Sequence, residues 1–350
     1  MSEIPAPFKR RPRYRGTHPR RFHEKYKELE PDKFPEAVQK VLASGKTPAG
    51  THRPVCVREV LEILGPQPGQ TAVDATLGYG GHAGEILPRI LPGGRLVGLD
   101  TDPIELEKTA ARLRALGAPA DALSLHHTNF AGLARLLGSL GIAGADMVLA
   151  DLGCSSMQLD NPERGFSYKL GGPLDLRLNP RKGRPASALL ATVSEVELEA
   201  ILSENADEPA AGRLARGLVA CQRDHPLETT ADLVNVIRKT LADGPARPRE
   251  DDLKATSQRV FQALRIAVND EFGALEMFLR FLPNCLKSGG RAVILTFHSG
   301  EDRRVKKAFL EGERDGLYAK IAHEVIRPAV EEIRANPRAS SAKLRWALRR

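Results

Sequence analysis

Residues 71–82, Thr-Ala-Val-Asp-Ala-Thr-Leu-Gly-Tyr-Gly-Gly-His, constrain the fold of this 350-residue chain more than any other segment. A short apolar run closes on Asp74, a turn holding Gly78, Gly80 and Gly81 follows, and a helical pattern begins. A buried strand that empties through a glycine turn into a helix builds a nucleotide-sized pocket at the strand's carboxyl end. Residues without Cβ let that backbone turn tightly and approach a ligand. The spacing G-x-G-G-H departs from the fingerprint G-x-G-x-x-G and points away from a nicotinamide dinucleotide.

The rhythm around this segment is α/β. Val57–Leu64 reads as an amphipathic helix, Thr71–Thr76 as a strand and Gly81–Ile90 as a helix. Gly94–Asp100 is a second strand, and Asp102 caps a helix that has Pro103 in its first position and runs to about Leu116. Ala122–His126 and Ala145–Leu152 read as third and fourth strands, with a helix over 131–140 between them. Alternation of this kind predicts a doubly wound, mainly parallel sheet. Residues 157–185 then have loop composition, and 194–241 read as helices with no strand between them. A helical pattern spans Ser257–Leu282, Gly289–Phe297 is again a strand, a helix starts near Glu301, and Lys343–Leu348 alternates as a last strand. The expected organisation is a basic, flexible arm over 1–50 with a helix near 34–43, an α/β domain over 51–156 and 256–350, and a mostly helical insertion over 157–255.

Charge is unevenly spread. Of the net +8, residues 1–50 supply +6 and 334–350 another +6, so 51–333 carry −4. Basic ends on an acidic body suit a polyanionic partner, or a tail kept for solubility. No apolar run reaches the roughly 18 residues of a membrane span, and the start lacks a secretory apolar region; its Arg-rich stretch is too Pro-rich and Ser-poor for a transit peptide. Cys56, Cys154, Cys221 and Cys285 form no C-x-x-C pair, which speaks against structural zinc, predicts no metal and fits a reducing cytoplasm.

Two strand-end acids carry the chemistry. Asp100 either accepts hydrogen bonds from both hydroxyls of a ribose or caps the next helix, a task for which Asp102 is better placed. Asp151-Leu-Gly-Cys-Ser-Ser156 follows the fourth strand and faces the same crevice, so Asp151, Ser155 and Ser156 are candidates to sit by the reacting group. His298, at the end of the fifth strand, is either part of a base pocket or a structural helix-start residue; His82 either touches ligand or caps its helix. The glycine turn and the acids together suggest S-adenosyl-L-methionine.

Further segments extend this in order: His52-Arg-Pro-Val, Asp74-Ala-Thr-Leu-Gly-Tyr-Gly-Gly-His82, Asp151-Leu-Gly-Cys-Ser-Ser-Met-Gln-Leu-Asp160, Glu163-Arg-Gly-Phe-Ser167, Gly172-Pro-Leu-Asp-Leu-Arg177, Arg259-Val-Phe-Gln-Ala-Leu-Arg-Ile-Ala-Val-Asn-Asp-Glu271, Thr296-Phe-His-Ser299, Glu301-Asp-Arg303, Asn336-Pro-Arg338 and Ser341-Ala-Lys-Leu-Arg345. Across 52 to about 347 the chain resembles the RsmH (MraW) family, cytosine-N4 methyltransferases of small-subunit ribosomal RNA. The resemblance implies a class I, Rossmann-like methyltransferase fold with a helical insertion. It implies S-adenosylmethionine contacts at Gly80, Gly81, His82, Asp100, Phe130, Asp151 and Gln158; for Phe130 the residues alone say only core aromatic. It implies as substrate a decoding-region cytidine of 16S ribosomal RNA, methylated on its exocyclic amine in the small ribosomal subunit, with a homodimer left open. Departures from the pattern are Ala255-Thr-Ser-Gln258, Gly300 in place of Leu, and Asn205-Ala-Asp207 in place of Tyr-Gly-Glu. A DNA amino-methyltransferase, a non-catalytic assembly factor and a nicotinamide dehydrogenase fit the residues less well.

Overall fold

The computed structural model describes residues 54–243 and 249–350, the side chain of Ser156 excepted. The expected arm with its helix near 34–43, and His52 and Arg53, lie outside the described residues.

Helix α1 (Val57–Leu64) leads into β1 (Thr71–Asp74), α2 (Gly81–Ile90), β2 (Arg95–Asp100), α3 (Pro103–Ala115), β3 (Leu123–His127), α4 (Leu133–Ser139) and β4 (Ala145–Asp151). After a helical stretch the chain returns as β5 (Leu286–Thr296), and β6 (Tyr318–Ile321) and β7 (Lys343–Arg349) complete a seven-stranded sheet. Its order is β3-β2-β1-β4-β5-β7-β6, with β1 to β5 parallel and β7 antiparallel to both its neighbours. Winding reverses between β1 and β4, and ligands bind in the crevice such a reversal leaves at the carboxyl ends of the strands.

Strand residues alternate between two apolar cores. Ala72, Leu96, Met147 and Val293 pack on one face with Ile86 and Leu87 of α2. Their successors Val73, Val97, Val148 and Ile294 pack on the other face with Leu133 of α4 and with Phe278 and Phe309. Burial of both faces explains why these strands read as near-continuous apolar runs. The two faces thus make an α/β sandwich of the Rossmann-like, doubly wound kind.

Between β4 and β5 lie α5 (Ser156–Asp160), α6 (Ala186–Leu190), α7 (Glu195–Ala206), α8 (Ala211–Asp224), α9 (Thr230–Ala242), α10 (Glu250–Asn269) and α11 (Glu271–Cys285). Phe166, Leu174, Leu198, Leu214, Leu233 and Phe261 form a third apolar core apart from the sheet. Helix α10 starts at Glu250 and lends Val260 and Phe261 to that core, so the core draws on residues from both sides of position 255. The helical pattern expected over 257–282 is interrupted at Asp270, which takes a left-handed φ of 48°, a conformation Asn and Asp tolerate. Strand β6 has no sequence signature: of its four residues only Tyr318 and Ile321 are buried. Helices α12 (Ser299–Arg314) and α13 (Val330–Ala335) flank it. Among the described residues no helix is long and apolar enough to cross a membrane.

Three of the six carboxyl-terminal cations are committed to carboxylates and are not free. Arg338 pairs with Asp160 at 2.9 Å, and Lys343 and Arg345 both pair with Asp302.

Candidate active site

The glycine turn is built as a cradle around Asp100. Gly78 N donates to Asp100 Oδ2 at 2.6 Å, and Asp102 N donates to Oδ1 at 2.7 Å. Each carboxylate oxygen keeps a lone pair, enough to receive two vicinal hydroxyls. Burial pushes the Asp100 carboxyl up to about 6, against the pull of those two backbone donors. The next helix is capped by Asp102, whose Oδ1 accepts from Ile104 N at 3.0 Å, so Asp100 is spared that task. Thr109 Oγ1 fixes the turn by donating to Gly78 O at 2.6 Å.

The glycines divide by role. Gly80 has φ 71°, and a Cβ there would lie 2.8 Å from Thr109 Cγ2. A Cβ on Gly81 would overlap Pro54. Both are pressed against the protein itself. A Cβ on Gly78 would meet nothing nearer than Thr76 O at 3.8 Å, so this glycine borders open space.

Across the switch point, Asp74, His82 and Asp151 converge. Asp151 N donates to Thr76 Oγ1 at 2.6 Å, which ties the end of β4 to the start of the glycine turn. His82 Nε2 stands 3.5 Å from Asp151 Oδ2. His82 Nε2 and Asp151 Oδ1 are buried and have no hydrogen-bond partner among the described residues. Burial raises the Asp74 carboxyl to about 7, moderated by His82 and by the Thr76 N–H. Two polar atoms buried without partners, at the carboxyl ends of β1 and β4, mark a place that a polar ligand completes.

The model of the MraW methylase family matches residues 49–350. This chain belongs to that family. The protein named ribosomal RNA small subunit methyltransferase H 1 of Lachnoclostridium phytofermentans is 49% identical over 342 residues, covering 97% of this chain and 93% of its own. The protein named ribosomal RNA small subunit methyltransferase H 2 of Alkaliphilus metalliredigens is 51% identical over 341 residues, covering 97% of each. A third, named ribosomal RNA small subunit methyltransferase H, of Heliobacterium modesticaldum, is 41% identical over 312 residues, covering 85% of this chain and 97% of its own. The chain is thus a methyltransferase and S-adenosylmethionine is its cofactor. The residues present fit a polar molecule with vicinal hydroxyls: a doubly supported acid with lone pairs to spare, open space at Gly78, and two buried polar atoms without hydrogen-bond partners among the described residues.

The methylase's remaining candidates are placed as follows. Phe130 is half-buried, opens the 3-10 turn Phe130–Gly132 and meets Phe278 edge-on at 5.4 Å. Ser155 caps α5: its Oγ accepts from Gln158 N, while Gln158 Oε1 accepts from Ser155 N. Gln158 Nε2 donates to Asp102 Oδ2 at 3.1 Å, so both ends of this amide are engaged within the protein. His298 caps α12, its Nδ1 accepting from Glu301 N at 3.4 Å, and its Nε2 is 3.2 Å from Glu301 Oε1. His82, by contrast, does not cap its helix; Gly80 occupies that position.

Sequence reasoning missed three supports. Arg164 Nη1 donates to Asp102 Oδ2 at 2.7 Å, and its Nη2 donates to Arg177 O and Leu178 O. Arg265 forks onto Glu271 and donates to Cys154 Sγ at 3.2 Å. Thr76 holds Asp151. Each sits in a motif visible in the sequence, yet its partner lies 62, 111 or 75 positions away, beyond any local pattern. Glu271, His298 and Glu301 converge closely enough to resemble a cation site; the Arg265 guanidinium already supplies the positive charge there.

Proposed function

We propose that this chain transfers the methyl group of S-adenosylmethionine to the exocyclic N4 of a decoding-region cytidine in 16S ribosomal RNA, within the small subunit. The observation that carries the reading is Asp151: a strand-end carboxylate with one buried, unpartnered oxygen, tied by Thr76 to the glycine turn. The names of the relatives supply the ribosomal RNA.

Bound S-adenosylmethionine supplies an electrophilic methyl on a sulfonium. Asp100 accepts the ribose hydroxyls, Phe130 faces the adenine, and Gly80, Gly81 and His82 line the charged end. The N4 lone pair of cytosine is delocalised into its ring. Asp151 accepts a hydrogen bond from that amine, which frees the lone pair and aims it; Ser155 and His298 shape the pocket around the base. The amine loses its proton after transfer, so no strong base is required. Methylation of N4, unlike that of carbon-5, needs no covalent thiol. Cys154 accords with this: burial raises its pKa, and its sulfur is occupied by Arg265. The helical lobe between β4 and β5 holds the RNA, and the target base leaves its stack to reach Asp151.

Methyl transfer from labelled donor is measured on small subunits, protein-free RNA and duplex DNA. Subunits are expected to accept label best. Asp151→Ala should abolish turnover while Asp100→Ala mainly weakens donor affinity; equal turnover on duplex DNA would refute the reading.

A further inference from the structure

Most cations near the crevice are already committed: Arg164, Arg177, Arg265 and Arg338 each lie within 3 Å of a carboxylate oxygen. The loop Asn179-Pro-Arg-Lys-Gly-Arg184 is different. Arg181, Lys182 and Arg184 are exposed, and none forms an ion pair among the described residues. They stand on a body whose residues 51–333 carry a net −4.

The loop is anchored at the donor's side of the crevice. Asn179 Nδ2 lies 3.2 Å from His127 Nε2. His127 ends β3 opposite Asp100, and its Nε2 is 3.0 Å from Thr101 O. The loop backbone is also held in shape. Arg181 N donates to Asn179 Oδ1, Lys182 N donates to Asn179 O, and Arg177, itself forked on Asp175, donates to Gly183 O. Arg184 Nη2 donates to Ala188 O at 2.8 Å. Charges kept only for solubility need no such anchoring; charges that must meet a fixed row of anions do.

We infer that loop 179–184 is a phosphate-contacting rim: Arg181, Lys182 and Arg184 bind backbone phosphates of the substrate RNA beside the ribose end of the donor pocket. The inference rests on the RNA substrate proposed above. Contacts of this type give affinity and register, and leave base choice to the pocket.

The test uses the full chain and the double variant Arg181→Ala/Lys182→Ala, which spares Arg184 and its contact with Ala188. Binding to small subunits and to protein-free 16S ribosomal RNA is titrated against salt. Each lost phosphate contact should flatten the slope of log K on log salt by about 0.7–0.9. The double variant should therefore be shallower by roughly 1.4–1.8 and, with the lost contacts contributing nothing at about 1 M salt, bind about 25- to 60-fold more weakly at 0.1 M salt. Donor affinity by calorimetry should be unchanged, and Arg181→Lys/Lys182→Arg should restore the slope. An unchanged slope in an enzyme that still methylates subunits overturns the inference and leaves the function standing. A loss on subunits but not on protein-free RNA also overturns it, assigning the loop to an acidic ribosomal protein. A parent enzyme that neither binds nor methylates subunits overturns both.

Discussion

Replacing Arg164 by alanine should destabilise this protein by about 3–5 kcal/mol, the usual cost of stranding one partner of a buried ion pair. Asp102 is 1% exposed, and the guanidinium is its only ionic partner among the described residues, at 2.7 Å. Alanine leaves the carboxylate with two neutral donors, Ile104 N and the Gln158 amide. It also strips a donor from Arg177 O and Leu178 O. Against a total stability of roughly 5–15 kcal/mol, a loss of that size is large. Asp102 N also positions Asp100, so donor affinity should fall as well, by about threefold to tenfold, the factor expected for a single weakened hydrogen bond. Guanidinium unfolding of the parent, Arg164→Met, Asp102→Asn and Asp102→Asn/Arg164→Met gives a double-mutant cycle, with Arg164→Ala measured beside it. The double variant, which removes both charges and fills the volume, should be more stable than Arg164→Ala alone by at least about 1 kcal/mol. If Arg164→Ala unfolds within about 0.5 kcal/mol of the parent, the range of an ordinary surface substitution, or the cycle shows no coupling, the pair is not the buried tie described here.

On the proposed reading ionised Asp100 accepts the ribose; burial raises its carboxyl to about 6, so donor affinity measured by calorimetry should drop as pH falls through about 6. Asp100→Asn should bind weakly and without that pH dependence; a flat profile in the parent would remove Asp100 from the ribose site. Asp74 is raised from 3.8 to about 7 by burial. The native state therefore holds a proton that the unfolded chain releases, and stability should decline as pH rises from about 4 to 7, by up to about 4 kcal/mol. Asp74→Asn should flatten that decline in thermal unfolding. Gly80→Ala, forced to φ 71° against Thr109, should cost about 1–3 kcal/mol and weaken donor binding; a neutral result would show that the turn relaxes freely. Cys154→Ala should retain most turnover, because Arg265 keeps its fork on Glu271, and complete loss would contradict non-covalent transfer.

What was legible in the sequence followed from local rules. The short apolar runs around Ala72–Val73 and Leu96–Val97 marked the strands, because both faces of the sheet are buried. Asp102 followed by Pro103 marked the start of α3. The break after Asp151 marked where the sheet rhythm is interrupted. Asp100 and Asp151 could be named because strand ends collect ligand-binding groups whatever the family. The rest is set by contacts that have no local pattern. The lack of a Cβ at position 81 reads as room for a ligand until Pro54, 27 positions earlier, is seen packed where that Cβ would stand. The bond from Gln158 to Asp102, 56 positions away, has no local pattern either. The charge of 334–350 reads as a free basic tail until Asp160 and Asp302 are seen beside it.

Two of the departures from the family's sequence pattern, Asp207 and Gly300, fall where the helical lobe meets the segment after β5. Asp207, in left-handed conformation at the end of α7, accepts from Ser299 Oγ and from Arg303 at the start of α12. Asn205 Nδ2 donates to Ala263 O of α10. A Cβ at Gly300 would stand 2.6 Å from Phe272 Cζ, so glycine there lets the Phe272 ring enter, with Arg304 stacked 3.5 Å above its centre. Asn269 joins the loop to α10 by accepting from Leu178 N and donating to Leu176 O. A chain inserted after Asp151 must leave the sheet at the crevice, because β4 ends there. Apolar packing alone would let such a lobe slide, since it is non-directional. Hydrogen bonds and ion pairs at fixed angles do not slide. The polar ties of Arg164 to Asp102, Arg265 to Cys154 and Asp207 to Arg303 therefore fix the helical lobe to the segments that follow β2, β4 and β5, the strands whose ends carry the crevice.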